Sequence, residues 1–317
     1  MAETAKIYVL AGVTAVGKTA TALAWAERGG AEILSCDSLL FYRGMDLGTA
    51  KPTQDERTRI PHHGLDLVSV NQPYDVGAYL AYAERVVREI SERGKRVLVV
   101  GGSGFYLQTF FSPVIDEVTV SAELREQVRT WEEEEGADGL LERLRKLNPG
   151  GLGDLAVGNP RRVVRALERC MASGKDLLAL QMSFRQKDFP FREHRKVAWM
   201  LDRKSEDLEE RVRRRTSAML ANGLLDEVQL LREAGLEKNP SASRAVGYRE
   251  TLLFLNGELS KEEWEEGIVT ATMRLARKQR KWFRSRLPTD RVILLSADES
   301  LEGLPAPWQA EACGERA

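Results

Sequence analysis

Gly12-Val13-Thr14-Ala15-Val16-Gly17-Lys18-Thr19 decides the fold, because it follows the apolar run Ile7-Tyr8-Val9-Leu10-Ala11 and opens a helix-like segment. It fits the spacing G-x-x-x-x-G-K-[ST], and a strand before it with a helix after it is the context in which that spacing means a P-loop. The glycines let backbone N–H groups converge on phosphate oxygens, and the dipole of the following helix adds partial positive charge. Lys18 supplies a point charge, and the Thr19 hydroxyl can ligate Mg²⁺. A phosphate site built from Gly12, Val13, Thr14, Ala15, Val16, Gly17, Lys18 and Thr19 is expected. What the phosphate belongs to stays open.

Outward from this loop, Lys6 to Ala11 reads as a strand, about Gly17 to Arg28 as a helix, and Glu32 to Cys36 as a second strand ending at Asp37. Leu65 to Val68 is a candidate short strand, and Val76 to Arg93 has helical periodicity. Arg96-Val97-Leu98-Val99-Val100 is a buried strand that runs through Gly101-Gly102-Ser103-Gly104 into another helix. Apolar strands alternating with helices imply an α/β fold, a parallel P-loop sheet flanked by helices. Beyond Val118 charged helical segments take over, with the run Glu132 to Glu135 and the breaks at Asn148-Pro149 and Gly150-Gly151. A sheet pattern returns at Lys196 to Leu201, and long helices are expected at about 205–222, 224–235, 246–256 and 261–286, then a strand at 291–295. The expected division is a discontinuous catalytic core over 1–117 and 191–300, a mainly helical insertion at 118–190, and a loose tail at 301–317.

The chain has 317 residues, 43% hydrophobic and 30% charged, which suits a globular protein with a sizeable core. No stretch approaches the ~20 apolar residues of a membrane helix. Cys36, Cys170 and Cys313 are too far apart for a disulfide framework or zinc site, and His62 and His63 give no ligand spacing. These features point to a reducing cytoplasm. A net charge of −1 argues against indiscriminate nucleic-acid binding and leaves room for local basic surfaces.

Enzymes that transfer a γ-phosphate need an acid to hold Mg²⁺, commonly at the end of a neighbouring strand. The strand Arg96 to Val100 ends in Gly-Gly-Ser-Gly, so Asp37 is the obvious carboxylate in the first hundred residues. It sits at the carboxyl edge of a parallel sheet, where such folds bind ligands, although a helix N-cap is the plainer role for a lone Asp. Farther on, Leu208, Val212 and Met219 form an apolar helical stripe that also carries Arg215, whereas Arg213 and Arg214 point away. An inward arginine needs an anion, so Arg215 is the candidate for the phosphate; a core salt bridge is the alternative. Helix 274–286 holds Arg274, Arg277, Lys278, Arg280, Lys281, Arg284 and Arg286 and no acid, and Arg161, Arg162, Arg165 and Arg169 form a second basic patch. Such one-signed surfaces fit a phosphate backbone.

The string Asp37-Ser38-Leu39-Leu40-Phe41-Tyr42-Arg43-Gly44-Met45-Asp46-Leu47-Gly48-Thr49-Ala50-Lys51-Pro52, together with the P-loop, resembles the bacterial tRNA dimethylallyltransferase (isopentenyltransferase) family. The resemblance continues in order through Gly101 to Leu107, Asn159 to Arg162, Arg165 to Glu168, Ala245 to Glu250 and Ala276 to Trp282. It implies transfer of a dimethylallyl group from dimethylallyl diphosphate, with Mg²⁺, to N6 of the adenosine immediately 3′ of the anticodon, in tRNAs reading codons that begin with U. It gives Asp37 the N6 proton, and Lys18 and Arg215 the leaving diphosphate. It turns Asp37, Ser38, Leu39, Leu40, Ser103, Arg125, Arg161, Arg162, Arg165, Arg244, Gly247, Tyr248 and Arg249 toward the tRNA anticodon stem-loop. Val13 and Ser103 replace the family's usual proline and threonine, and neither change removes a needed group. A monomer suffices for this chemistry. The competing readings are a nucleotide or small-metabolite kinase, a prenyltransferase acting on free adenylate, and a non-enzymatic RNA-binding protein.

Overall fold

Burial on both faces is what allows strands to run almost wholly apolar, and it explains why Ile7–Gly12 has no exposed residue. In the computed structural model, which describes residues 6–296 and 301–312, that segment is the strand β1. The others are β2 (Ala31–Ser35), β3 (His62–His63), β4 (Arg96–Gly101), β5 (Lys196–Arg203) and β6 (Arg291–Leu295). All pair in parallel, in the order β3-β2-β4-β1-β5-β6. Tyr8 stands opposite both Leu98 and Val197, so β1 lies between β4 and β5. The candidate strand at Leu65 to Val68 is corrected. His62–His63 takes the pairing with Ile33–Leu34, while Val68 makes only an isolated bridge to Tyr42.

The helices are α1 (Lys18–Gly29), α2 (Gln54–Arg59), α3 (Val76–Glu92), α4 (Gly104–Gln108), α5 (Ala122–Leu147), α6 (Pro160–Ser173), α7 (Leu177–Gln186), α8 (Ser205–Ala221), α9 (Leu224–Glu233), α10 (Pro240–Ser243), α11 (Tyr248–Leu255), α12 (Lys261–Arg286) and α13 (Pro307–Ala312). Two of the longer helices begin at side-chain caps: the Asp75 carboxylate accepts from Ala78 N–H before α3, and Ser260 with Glu263 forms a capping box before α12.

The chain divides into two compact units, Met1–Ser112 with Pro190–Ala317, and Pro113–Phe189. In the first, the sheet and its flanking helices carry the main core. A second apolar cluster joins Tyr42, Met45, Leu224, Val228, Leu236, Tyr248 and Trp264. The second unit is helical and has its own core of Val128, Leu140, Leu144, Val163, Leu167 and Leu180. In α6 the residues Val163, Ala166, Leu167 and Cys170 are buried. That helical spacing turns Arg161, Arg162 and Arg165 outward.

The loose tail is also corrected. Trp308 is 8% exposed and packs edge-on against Tyr8 and Trp25, and the Trp25 indole N–H donates to Leu304 O at 3.0 Å. The segment has no amphipathic period for sequence to reveal; a few isolated apolar anchors hold it. Cys313, counted above, lies outside the described residues.

Candidate active site

Strand order decides which loops meet. Because β2, β4 and β1 are neighbours, Asp37, Gly101-Gly102-Ser103 and Gly12–Thr19 leave the sheet side by side at its carboxyl edge. Gly17 enters α1 at φ 116°, a conformation that favours glycine. At Gly101 a Cβ would fall 2.0 Å from Cys36 O, so β4 can press against the end of β2 only with glycine there. That approach lets the Ser103 hydroxyl take the Ser38 N–H at 3.1 Å and donate to Asp37 Oδ1 at 3.4 Å. Leu39 N–H also donates to Asp37 Oδ1, at 3.4 Å.

The phosphate loop is bound from the end of β5, from α8 and from α12. Arg215 Nη2 donates to Thr14 Oγ1 at 3.0 Å, Arg211 Nε to Ala15 O at 3.1 Å, and the buried Arg203 Nε to Val16 O at 2.9 Å. Thr14 N–H donates to Gln279 Oε1 at 2.8 Å. Lys18 Nζ donates to Val13 O at 2.9 Å.

Charge is concentrated here at a cost. Burial, with the nearby Arg215 charge, lowers the Lys18 ammonium to about 8, against the opposing pull of Asp37. Burial likewise brings the Arg215 guanidinium down to about 10, with Asp37 pulling the other way. Burial raises Asp37 above the ordinary carboxylate range, and Lys18 offsets this in part. Two cations that share a single carboxylate in a low-dielectric site leave positive charge uncompensated, which favours a polyanion.

Two cavities of about 510 and 500 Å³ share a wall formed by Thr14, Asp37, Thr49 and Arg215. The first contains Lys18 and Thr19, with Arg211 and Arg214 and an apolar side of Ala22, Ile33, Leu65 and Val100. The second opens on Ser38, Leu39, Ser103, Phe105, Arg244, Gly247, Lys278 and Trp282. The chain thus presents an anion cradle with an apolar flank on one side of a carboxylate, and a basic, aromatic opening on the other.

Most of the candidates converge. Leu40 lines the cradle cavity rather than the second one. Arg214, expected to point away, is exposed but stands at the cradle's mouth, whereas Arg213 pairs with Glu209 and Glu266. Tyr248 is corrected. Its side chain is fully buried and its hydroxyl donates to Glu227 Oε1 at 2.7 Å, so it offers no surface to RNA. The same carboxylate takes the N–H groups of Asp46, Leu47 and Gly48, at 3.1, 2.6 and 3.2 Å, and so fixes the loop after Asp37. Arg249 is exposed and pairs with Glu250. Arg125, Arg161, Arg162 and Arg165 are exposed in the second unit, with Arg165 on Glu168 at 3.0 Å. On α12, Arg280 is not part of a solvated basic face: it holds the buried Asp202 through Nε and Nη2. Sequence patterns alone assign no role at the site to Arg211, Arg203 or Gln279. For Arg211 a signal existed, since it lies four residues before Arg215 on the same helical face.

The model of the IPP transferase family matches residues 40–286. The tRNA dimethylallyltransferase of Opitutus terrae is 51% identical over 288 residues, covering 91% of this chain and 92% of its own. That of Pelotomaculum thermopropionicum is 37% identical over 283 residues, covering 88% and 87%. A eukaryotic dimethylallyltransferase solved while acting on tRNA superposes with a TM-score of 0.78 at 27% identity, over 93% of this chain and 74% of that one. The tRNA isopentenylpyrophosphate transferase of Bacillus halodurans gives a TM-score of 0.68 at 27% identity, over 98% and 96%.

Proposed function

The chain belongs to the IPP transferase family, and we propose that it transfers the dimethylallyl group of dimethylallyl diphosphate to N6 of the tRNA adenosine immediately 3′ of the anticodon, in tRNAs reading codons that begin with U. The observation that carries this reading is Asp37 in the wall between the phosphate cradle and the basic, aromatic opening. In this reading the diphosphate rests on Gly12–Thr19, and the adenine enters from the other side. The N6 lone pair is delocalised into the purine and is a weak nucleophile. As it attacks C1 of the donor, the C–N bond forms and the C1–O bond breaks. The bonding pair leaves with diphosphate, and the N6 proton passes to Asp37. Lys18 and Arg215 meet the charge growing on the departing oxygens. The P-loop holds a leaving group here, and no phosphoryl group moves.

The donor set suits Mg²⁺ carried largely by diphosphate oxygens and water. Thr19, at the exposed start of α1 beside Lys18, is the hydroxyl that would hold it, and among the described residues no three His, Cys, Asp or Glu converge. Mg²⁺ would neutralise part of the leaving charge. A cytoplasmic location follows from the substrate, and no helix among the described residues is long and apolar enough to cross a membrane.

The test is to incubate the protein with dimethylallyl diphosphate, Mg²⁺ and unmodified tRNA and to weigh the digested nucleosides. An adenosine carrying a five-carbon prenyl group on N6 is expected. Consumption of ATP with unchanged RNA masses would refute the reading.

Arg125, Arg161, Arg162 and Arg165, with the exposed cations of α12, are proposed to follow the tRNA backbone. Removing charge at Arg277, Lys278 and Lys281 together should weaken tRNA binding and reduce the slope of log K against log salt by roughly 2, at about 0.7–0.9 per phosphate contact. Titrations at four salt concentrations measure the slope; an unchanged value reassigns that face to structure.

A further inference from the structure

Gln279 reaches both halves of the site from α12. Its Oε1 accepts from Thr14 N–H at 2.8 Å, and its Nε2 donates to Gly102 O at 3.0 Å. A peptide N–H can only donate and a carbonyl can only accept, so these partners fix the orientation of the amide. Thr14 belongs to the phosphate cradle and takes the Arg215 hydrogen bond. Gly102 precedes Ser103, whose hydroxyl holds Ser38 and Asp37. A single side chain therefore spans the leaving-group anchor and the proton acceptor. The next residue braces the loop from its other end. Arg280 holds Asp202 and Arg203 O, and Arg203 Nε donates to Val16 O at 2.9 Å. At the following turn of α12, Trp282 lies against Gly104, where a Cβ would come within 2.4 Å of the indole ring.

We propose that Gln279 is a positioning residue that sets the distance between the phosphate loop and the Ser103–Asp37 edge. This rests on the reaction proposed above. Gln279 itself exchanges no proton with substrate. It acts by holding Thr14 and Gly102 in one register, which requires both hydrogen bonds at once. An amide one methylene shorter cannot reach both partners, and a carboxylate of equal length keeps the Thr14 bond but faces the Gly102 carbonyl with no proton to give.

Gln279→Met keeps the volume and removes both bonds. With dimethylallyl diphosphate and an anticodon stem-loop, kcat should fall about 100-fold, as displacement of a reacting group by about 1 Å typically does. Gln279 lines the base opening, but methionine keeps its volume there and α12's exposed cations are untouched, so stem-loop affinity should fall by less than about fivefold, far less than kcat. Gln279→Asn and Gln279→Glu should lose kcat in the same way. A purely structural role would instead lower the melting temperature and leave kcat per folded molecule unchanged. The proposal is overturned if folded Gln279→Met or Gln279→Asn turns over within threefold of the wild type. If Gln279→Met does not fold, Gln279→Glu decides by the same criterion, and failure of all three to fold assigns Gln279 to the fold alone. A wild-type protein that transfers nothing counts against the reaction itself. In that case pyrophosphate binding reads out the bridge, and Gln279→Met should weaken it about tenfold, as expected when a displaced loop loses about one well-placed hydrogen bond to its charged ligand. Unchanged pyrophosphate binding then overturns the proposal.

Discussion

Asp37→Ala should lower prenyl transfer by about 1,000-fold or more, within the range by which a positioned general base accelerates proton transfer, while tRNA still binds. The effect is expected to be that large because the described site offers no substitute. Ser103, the nearest polar side chain, is a hydroxyl that already donates toward Asp37. The lesion should appear in kcat, since an adenine N6 becomes acidic only as its bond to carbon forms. Asp37→Asn should lose as much, because it keeps the shape and cannot take the proton. The sign of the pH dependence follows from burial, which raises this carboxyl above its ordinary value. The base is active when ionised, so activity should fall as pH drops through that raised value, and the acid limb should lie above that of a solvated aspartate. The substitution should remove that limb. Single-turnover rates from pH 5 to 9, with filter binding of tRNA alongside, test all of this, and turnover near the wild-type level in Asp37→Ala takes Asp37 out of the chemistry.

The second large effect concerns Arg215. Arg215→Ala should reduce kcat by about 100- to 1,000-fold, the range seen when one preorganised donor to a developing anion is removed. Its guanidinium stands at Thr14 in the wall common to both cavities, and burial holds it at about 10, still charged at neutral pH. Diphosphate gains negative charge as it departs, so kcat should suffer more than the donor KM. Arg215→Lys restores a charge without the planar fork and should recover only part of the rate. Lys18, brought down to about 8 by burial, stays mostly protonated at pH 7 and cannot replace it. Steady-state kinetics of the two variants, with pyrophosphate as product inhibitor, separate ground-state binding from transition-state stabilisation. A raised donor KM and weaker pyrophosphate inhibition with unchanged kcat would make Arg215 a simple anchor.

What could be read from the chain depended on how local each signal was. The cradle needs eight consecutive residues, and Asp37 needs only a strand end, so both were legible. Arg215 was legible because one helix carries its own evidence, an arginine on an apolar stripe. Gln279 and Arg203 were not, since each acts by touching a segment far away in sequence, and nothing beside them announces the partner. Arg280 looked like one cation among seven. Only the fold shows that Asp202, at the end of β5, lies beneath it. Tyr248 sits in a family block beside true surface residues, and burial, which no linear pattern gives for a single aromatic, turned it inward. The segment at 301–312 was missed for a related reason: its anchors, Leu304 and Trp308, are isolated residues without a helical or strand period.

The sheet that separates β1 from β2 by the single strand β4 also works as a ruler. Adjacent strands stand ~4.8 Å apart, so the anchor after β1 and the carboxylate after β2 are held about two such steps, or ~10 Å, from each other. In every allylic diphosphate the carbon attacked is the one bonded to the diphosphate oxygen, however long the hydrocarbon beyond it. The gauge therefore fixes where bonds change and is blind to the length of the tail. Any preference for a five-carbon tail must reside in the apolar flank of Ala22, Ile33, Leu65 and Val100, which selection can reshape while the reacting centre stays where it is.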